Sequence, residues 1–197
     1  MQTNRLWSRT LTLALMLCTA AVLSGCDDDD DDGVDDIKNV TGVVLSVLNG
    51  GVQANRDFVV FDLAQPAGAE PVASGTSDSN GEFSFSLKGV DIIFVAFPPI
   101  EAAGEPRSSG LVFLDAKNNQ KQLEDFTDIA CVAGVGAVQD NSITAAQLDD
   151  ARIANLEAGA QQVIEQDGVD FTNADSVNAA VAKVREITND GANPPQG

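Results

Sequence analysis

The chain reads as an α+β protein in which a small antiparallel β-sandwich precedes a C-terminal helical hairpin or three-helix segment. Two changes of pattern predict this. From residue 39 to about residue 115 apolar residues recur with period two, and Asn, Gly and Pro punctuate them at short intervals. Beyond residue 123 the period becomes helical. The length of 197 residues suits one domain, or one small domain with an appendage.

Residues 40–48 form the first expected strand, closed by Asn49-Gly50-Gly51, a turn signal. Residues 57–63 (DFVVFDL) form the second, followed by a loop with Pro66, Gly68 and Pro71, and residues 72–77 are extended. Ser79-Asn80-Gly81 turns the chain into residues 82–87, whose alternation buries Phe83, Phe85 and Leu87 on one face. Residues 91–97 are nearly all apolar, as in a strand covered on both sides. A loop from Pro98 to Ser109 leads to residues 110–115 (GLVFLD) as the last strand. Six or so short strands with regular turns indicate a sandwich.

Thr41-Gly42-Val43-Val44, the strand from Phe58 to Phe61, and Gly75-Thr76-Ser77-Asp78-Ser79-Asn80-Gly81-Glu82-Phe83 together carry a family pattern. It resembles the carboxypeptidase regulatory-like domain, a prealbumin-like sandwich related to Cna-B modules of cell-surface proteins. Ser77 stands between Thr76 and Asp78, and Gln53-Ala54 stand where the family has a Pro after the first turn. The resemblance covers about fifty residues and implies a binding, spacer or adaptor module without catalysis of its own. A Cna-B-like Lys–Asn isopeptide has Lys38 and Lys88 as candidates by residue type alone.

In the 78–82 hairpin, Asp78 can cap the turn and Gly81 can take positive φ. Asp78, Asn80 and Glu82 are also candidate cation ligands, but an EF-hand-like loop needs a distal carboxylate where Gly89 stands. The structural turn is preferred. Further on, residues 127–138 (TDIACVAGVGAV) are apolar on nearly every side, a buried helix packed closely through Gly134 and Gly136. Thr144 and Gln147 form a capping box opening a helix to about residue 166, with Leu148, Leu156, Ala160 and Val163 on one stripe and Gly168 as its end. Thr172 with Asp175 opens a third helix carrying Val177, Val181, Val184 and Thr188. Arg152, Asn155, Glu157 and Arg185 in this region read as solvated polar residues rather than a site.

The N-terminus carries an address. Arg5 and Arg9 precede an apolar run over residues 11–23, too short to span a membrane, which ends in Leu23-Ser24-Gly25-Cys26. This ending resembles the lipobox of bacterial lipoprotein precursors. The resemblance implies cleavage after Gly25, a diacylglyceryl group on the Cys26 thiol, and an acyl chain such as palmitate on the new amino terminus. Asp27 resembles the residue that retains lipoproteins at the inner membrane in enterobacteria-like sorting, with the outer membrane as the alternative. The expected organisation is a signal peptide over residues 1–25, an acidic tether over 26–38, the sandwich over 39–122, the helical region over 123–189, and a disordered tail over 190–197.

Charge and composition exclude several function classes. Losing Arg5 and Arg9 with the leader leaves nine basic residues against thirty acidic ones, a formal charge of −21. Such a surface repels nucleic acid. Eight Asp in residues 27–36 make a self-repelling spacer rather than a calcium loop. There is no His, so His-based triads and ordinary zinc sites cannot be built. There is no Tyr, and the one Trp, Trp7, lies in the leader, so aromatic carbohydrate platforms are absent from the mature part. Processing leaves Cys131 as the single free cysteine, read as a small buried hydrophobe. No catalytic residue and no cofactor is expected. The leading expectation is a non-enzymatic envelope protein held to the membrane by lipid on Cys26 and presenting its sandwich to an envelope partner. A calcium- or small-ligand-binding lipoprotein, with its ligand between sandwich and helices, is the alternative. A hydrolase using paired carboxylates is the third.

Overall fold

Alternating β-branched and aromatic residues build the first half of the chain, and small apolar residues build the helices that follow. The computed structural model describes residues 37–101 and 104–188. These residues form β1 (Ile37–Val44), β2 (Asp57–Asp62), β3 (Ala73–Thr76), β4 (Glu82–Lys88), β5 (Ile92–Phe97), β6 (Ser108–Phe113) and β7 (Asn118–Leu123), then α1 (Asp125–Gln139), α2 (Asp150–Asp167) and α3 (Ala174–Ile187). One sheet has the order β4-β1-β7 and the other β3-β2-β5-β6. All pairings are antiparallel except β1 with β7, which is parallel. The result is the expected α+β architecture of a small β-sandwich followed by helices.

The molecule has a third layer because one sheet is apolar on both faces. Along β5 the pleat sends Ile93, Val95 and Phe97 into the core between the sheets, and Ile92 and Phe94 toward the helices. In and just after β6, Val112 and Leu114 face the sandwich core, whereas Leu111 faces the helices. Phe58 centres the inter-sheet core, with its ring 5.4–5.7 Å from those of Phe83, Phe85 and Phe97. The doubly covered strand read over residues 91–97 is therefore β5.

The helices close on the free face of the four-stranded sheet through α1. A Cβ on Gly134 would lie 2.7 Å from Leu111 Cδ1 and 3.2 Å from Leu156 Cδ1, so only Gly lets α1 come so near both β6 and α2. Gly136 does not share this role, since its nearest neighbour would be Arg185 Nη1 at 3.7 Å. Ile129, Ala133, Leu148, Leu156, Ala160 and Val184 are fully buried in this second core.

Several boundaries differ from the sequence reading, each for a local reason. Ile37 and Lys38, placed in the tether, already pair with β4. The first helix begins at Asp125 rather than Thr127, because the Glu124 amide donates to Thr127 Oγ1 at 2.8 Å and closes a turn earlier. The Thr144 amide does donate to Gln147 Oε1, but this box opens only a 3₁₀ turn. The helix proper starts six residues later, where Asp149 Oδ1 accepts from the Arg152 amide. For the third helix the cap is Asn173 and not Thr172. One strand, β7, is missing from the sequence reading altogether. Residues 1–36 and 189–197, and with them Cys26 and the tail, lie outside the described residues.

Candidate functional site

The helix layer covers β6 and leaves β2 partly open. On β2 and β5, Phe61 and Phe94 are direct cross-strand partners on the helix-facing side, and their rings stack with centroids 4.8 Å apart. Between this pair and the end of α1 lies a cleft of about 600 Å³. Its floor is Phe61, Leu63 and Phe94, and one wall is Val135 and Val138 of α1 with Ile143 from the turn beyond it. The facing rim is the β2–β3 connection, residues 63–72. Asp62 Oδ1 accepts from the Ala64 amide at 2.8 Å, and Gly68 takes a φ of +87°, so the connection folds back as a shaped edge. The opposite rim is fixed by the Ser142 and Ile143 amides, both bonded to the Ala137 carbonyl, with Asn141 at a φ of +61°. Among the lining side chains the charged ones are Asp62 and Glu70, both acidic.

The residues nominated from the sequence do not gather at this cleft. Asp78 Oδ1 accepts from the amides of Asn80 at 2.7 Å and Glu82 at 2.9 Å, and Gly81 has a φ of +71°. The expected hairpin is instead a turn that carries the chain from β3 in one sheet to β4 in the other, and the Asp78 oxygen that would face a cation is engaged in closing that turn. Among the described residues no group of three or more acidic, Cys or His side chains is placed to hold a metal ion. Cys131 is buried, and burial pushes its thiol up to about 12. Glu157 pairs with Lys121, whereas Arg185 pairs with Asp140 at 2.5 Å, so that polar group is split between two places. Lys38 Nζ donates to the Leu114 carbonyl at 2.6 Å and to Asp91 at 3.3 Å.

Three polar arrangements escaped the sequence reading. Arg56, 3% exposed, donates to Gln53 Oε1 and to the Phe97 and Pro98 carbonyls, with its guanidinium 5.9 Å from the centre of the Phe97 ring. Burial pulls its pKa down, and the charge of Glu105 opposes that shift. Glu105 in turn accepts from Gln53 and from Ser46 Oγ. This network ties the β1–β2 loop to the β5–β6 loop. The second arrangement is at Asp128 in the first turn of α1, which accepts from Ser109 Oγ at 2.7 Å and from Arg107 Nε at 3.3 Å. Burial pushes the Asp128 carboxyl up, with Arg107 and Ser109 opposing. The third is a pair of neighbouring carboxyls, Asp115 and Asp150, which line one shallow cavity. Burial pushes the Asp150 carboxyl up, and the neighbouring charge of Asp115 adds to that shift.

A signal for the cleft was present in the sequence. DFVVFDL and IIFVAF place aromatic side chains on both faces of neighbouring strands, which requires a cover on each. How far that cover extends depends on where α1 docks.

No family model matches the chain, and no curated protein matches it. Among solved structures it is similar to a DUF3823 family protein from Parabacteroides merdae, with 17% identity and a TM-score of 0.34 over 45% of each chain. It is also similar to a 9R-lipoxygenase from Cyanothece PCC8801, with 9% identity and a TM-score of 0.30 over 73% of this chain and 26% of that one. The chain spans less than half the length of either protein, and neither likeness is strong enough to carry a function across.

Proposed function

We propose that the protein is a non-enzymatic, lipid-anchored cell-envelope protein whose sandwich is a binding or structural module displayed to an envelope partner. The anchor rests on Leu23-Ser24-Gly25-Cys26 and the leader before it. Ten residues, 27–36, join Cys26 to the first strand, and they can span at most about 36 Å. No described helix is long and apolar enough to cross a membrane. The prealbumin-like reading is supported by position, since the Gly42-Val43-Val44 segment lies in β1, Phe58 to Phe61 in β2, and the Asp78 turn between β3 and β4, which belong to different sheets.

The observation that carries the display reading lies at the strand ends farthest from Ile37. There the β1–β2 and β5–β6 loops expose Leu48, Val52 and Ile100, while Arg56 holds both loops from beneath. Apolar tips on a fixed base suit a partner surface, because little ordering remains to oppose binding. Two experiments test the proposal. Cys26→Ala should move the protein from the membrane to the soluble fraction and abolish palmitate labelling; unchanged fractionation would remove the anchor. A photo-crosslinking residue at position 52 should give a discrete product in intact cells that one at position 165 does not. No product at position 52 would remove the partner reading.

The cleft beside Phe61 and Phe94 favours a second reading, a small-ligand-binding lipoprotein. Its volume lies within the usual range for such sites, roughly 300–1,000 Å³.

A further inference from the structure

We propose that the cleft between the β2–β3 connection and the end of α1 takes a small organic cation with an apolar, aromatic-sized body. The inference rests on the small-ligand reading of that cleft and adds the chemistry of its occupant. Two observations carry it. The first is the floor, where Phe61 and Phe94 are stacked and only partly buried, with Val135 and Val138 beside them. Such a floor gains by covering an apolar body. The second is the sign of the charge around it. Asp62 and Glu70 line the cleft without a Lys or Arg among the lining residues. Arg185, which reaches the neighbouring turn, is engaged by Asp140 and Ser142.

The polar atoms of the rim have capacity to spare. Asp62 Oδ1 receives one amide, from Ala64, and Oδ2 receives the Gln65 side chain at 3.5 Å, whereas an ionised carboxylate offers about four acceptor sites. A concave site lined by charge of one sign, on a chain of net charge −19, raises the local concentration of cations and disfavours anions. An anionic or neutral ligand of the same shape gains the floor and loses the rim.

The test is calorimetric titration of the full chain in dodecyl maltoside with three probes of similar bulk: benzyltrimethylammonium, 3-phenylpropanol and phenylacetate. Benzyltrimethylammonium should bind roughly tenfold or more tightly than the other two, and raising the salt should weaken it. Ala67→Arg, at an exposed position of the rim, should reduce its affinity by about tenfold by filling the cleft and reversing its charge. Glu70→Gln should reduce it by about threefold. An unchanged thermal midpoint in both variants ties these losses to the cleft and not to unfolding. If phenylacetate or 3-phenylpropanol binds as tightly as the cation and Ala67→Arg abolishes it, the cationic assignment falls while the cleft remains a ligand site. If no probe binds, or if Ala67→Arg leaves cation binding unchanged, both the assignment and the ligand reading of this cleft fall.

Discussion

Arg56 and Asp128 show how one charged side chain can fix loops and layers together. The Arg56 guanidinium is buried against two backbone carbonyls and Gln53, so removing it leaves several buried acceptors unpaired. Arg56→Met should therefore lower stability by about 3 kcal/mol and increase hydrogen exchange in the 45–56 and 98–107 loops ahead of the rest of the sandwich. Denaturant midpoints with exchange mapped by mass spectrometry check this. Asp128 has the opposite thermodynamic sign. Its folded-state pKa lies above the ordinary carboxylate value, so the native state holds its proton more tightly than the unfolded state does. That contribution is complete below about pH 4 and is lost as pH rises through the folded pKa. The stability of the wild type relative to Asp128→Asn should thus increase as pH is lowered from neutral toward 4, read from urea midpoints across that range. A difference independent of pH would show that Asp128 is not held in this way.

At the scale of elements, the approach of α1 to the sheet depends on the space at Gly134. A branched side chain there meets Leu111 and Leu156, both about 1% exposed or less, so neither has room to yield. Gly134→Val should cost about 3 kcal/mol and shift amide resonances along β6 and α2, with smaller changes in the β4-β1-β7 sheet. Strand β7 explains why one element was illegible in the sequence. In NNQKQL the inward positions are Asn119, Lys121 and Leu123, so two of three are polar and the period-two signal vanishes. Those polar groups are satisfied by contacts distant in sequence. Asn119 Nδ2 donates to the Asn39 carbonyl of β1 at 3.4 Å, and Lys121 reaches Glu157 on α2. The strand exists because β1 offers it a parallel edge, which no local pattern records. The capping box at Thr144 shows the converse limit, for the local signal was read and formed, but the helix it announced begins later.

For the whole molecule, the four-stranded sheet makes sandwich and helices interdependent. Ile92, Phe94, Leu111 and Phe113 are covered by the helix layer, and the helices have no other large apolar face to rest on. Residues 37–188 should therefore unfold in one calorimetric transition, with equal van't Hoff and calorimetric enthalpies. Two separable transitions would show the helical region to be an independent module. The sequence by itself determined the class of the fold, because the switch from period two to helical spacing near residue 123 and the doubly apolar 91–97 strand are local facts that burial must respect. It also determined the chemistry that this composition cannot build, such as a His-based triad. Only the tertiary structure decided where the helices stop covering the sheet, and hence that Phe61 and Phe94 line a cleft with Asp62 and Glu70 at its rim. The reason is physical. Periodicity reports which face of an element is buried, whereas the edge of a packed layer depends on how closely distant side chains, Gly134 and Leu111 among them, allow two layers to approach.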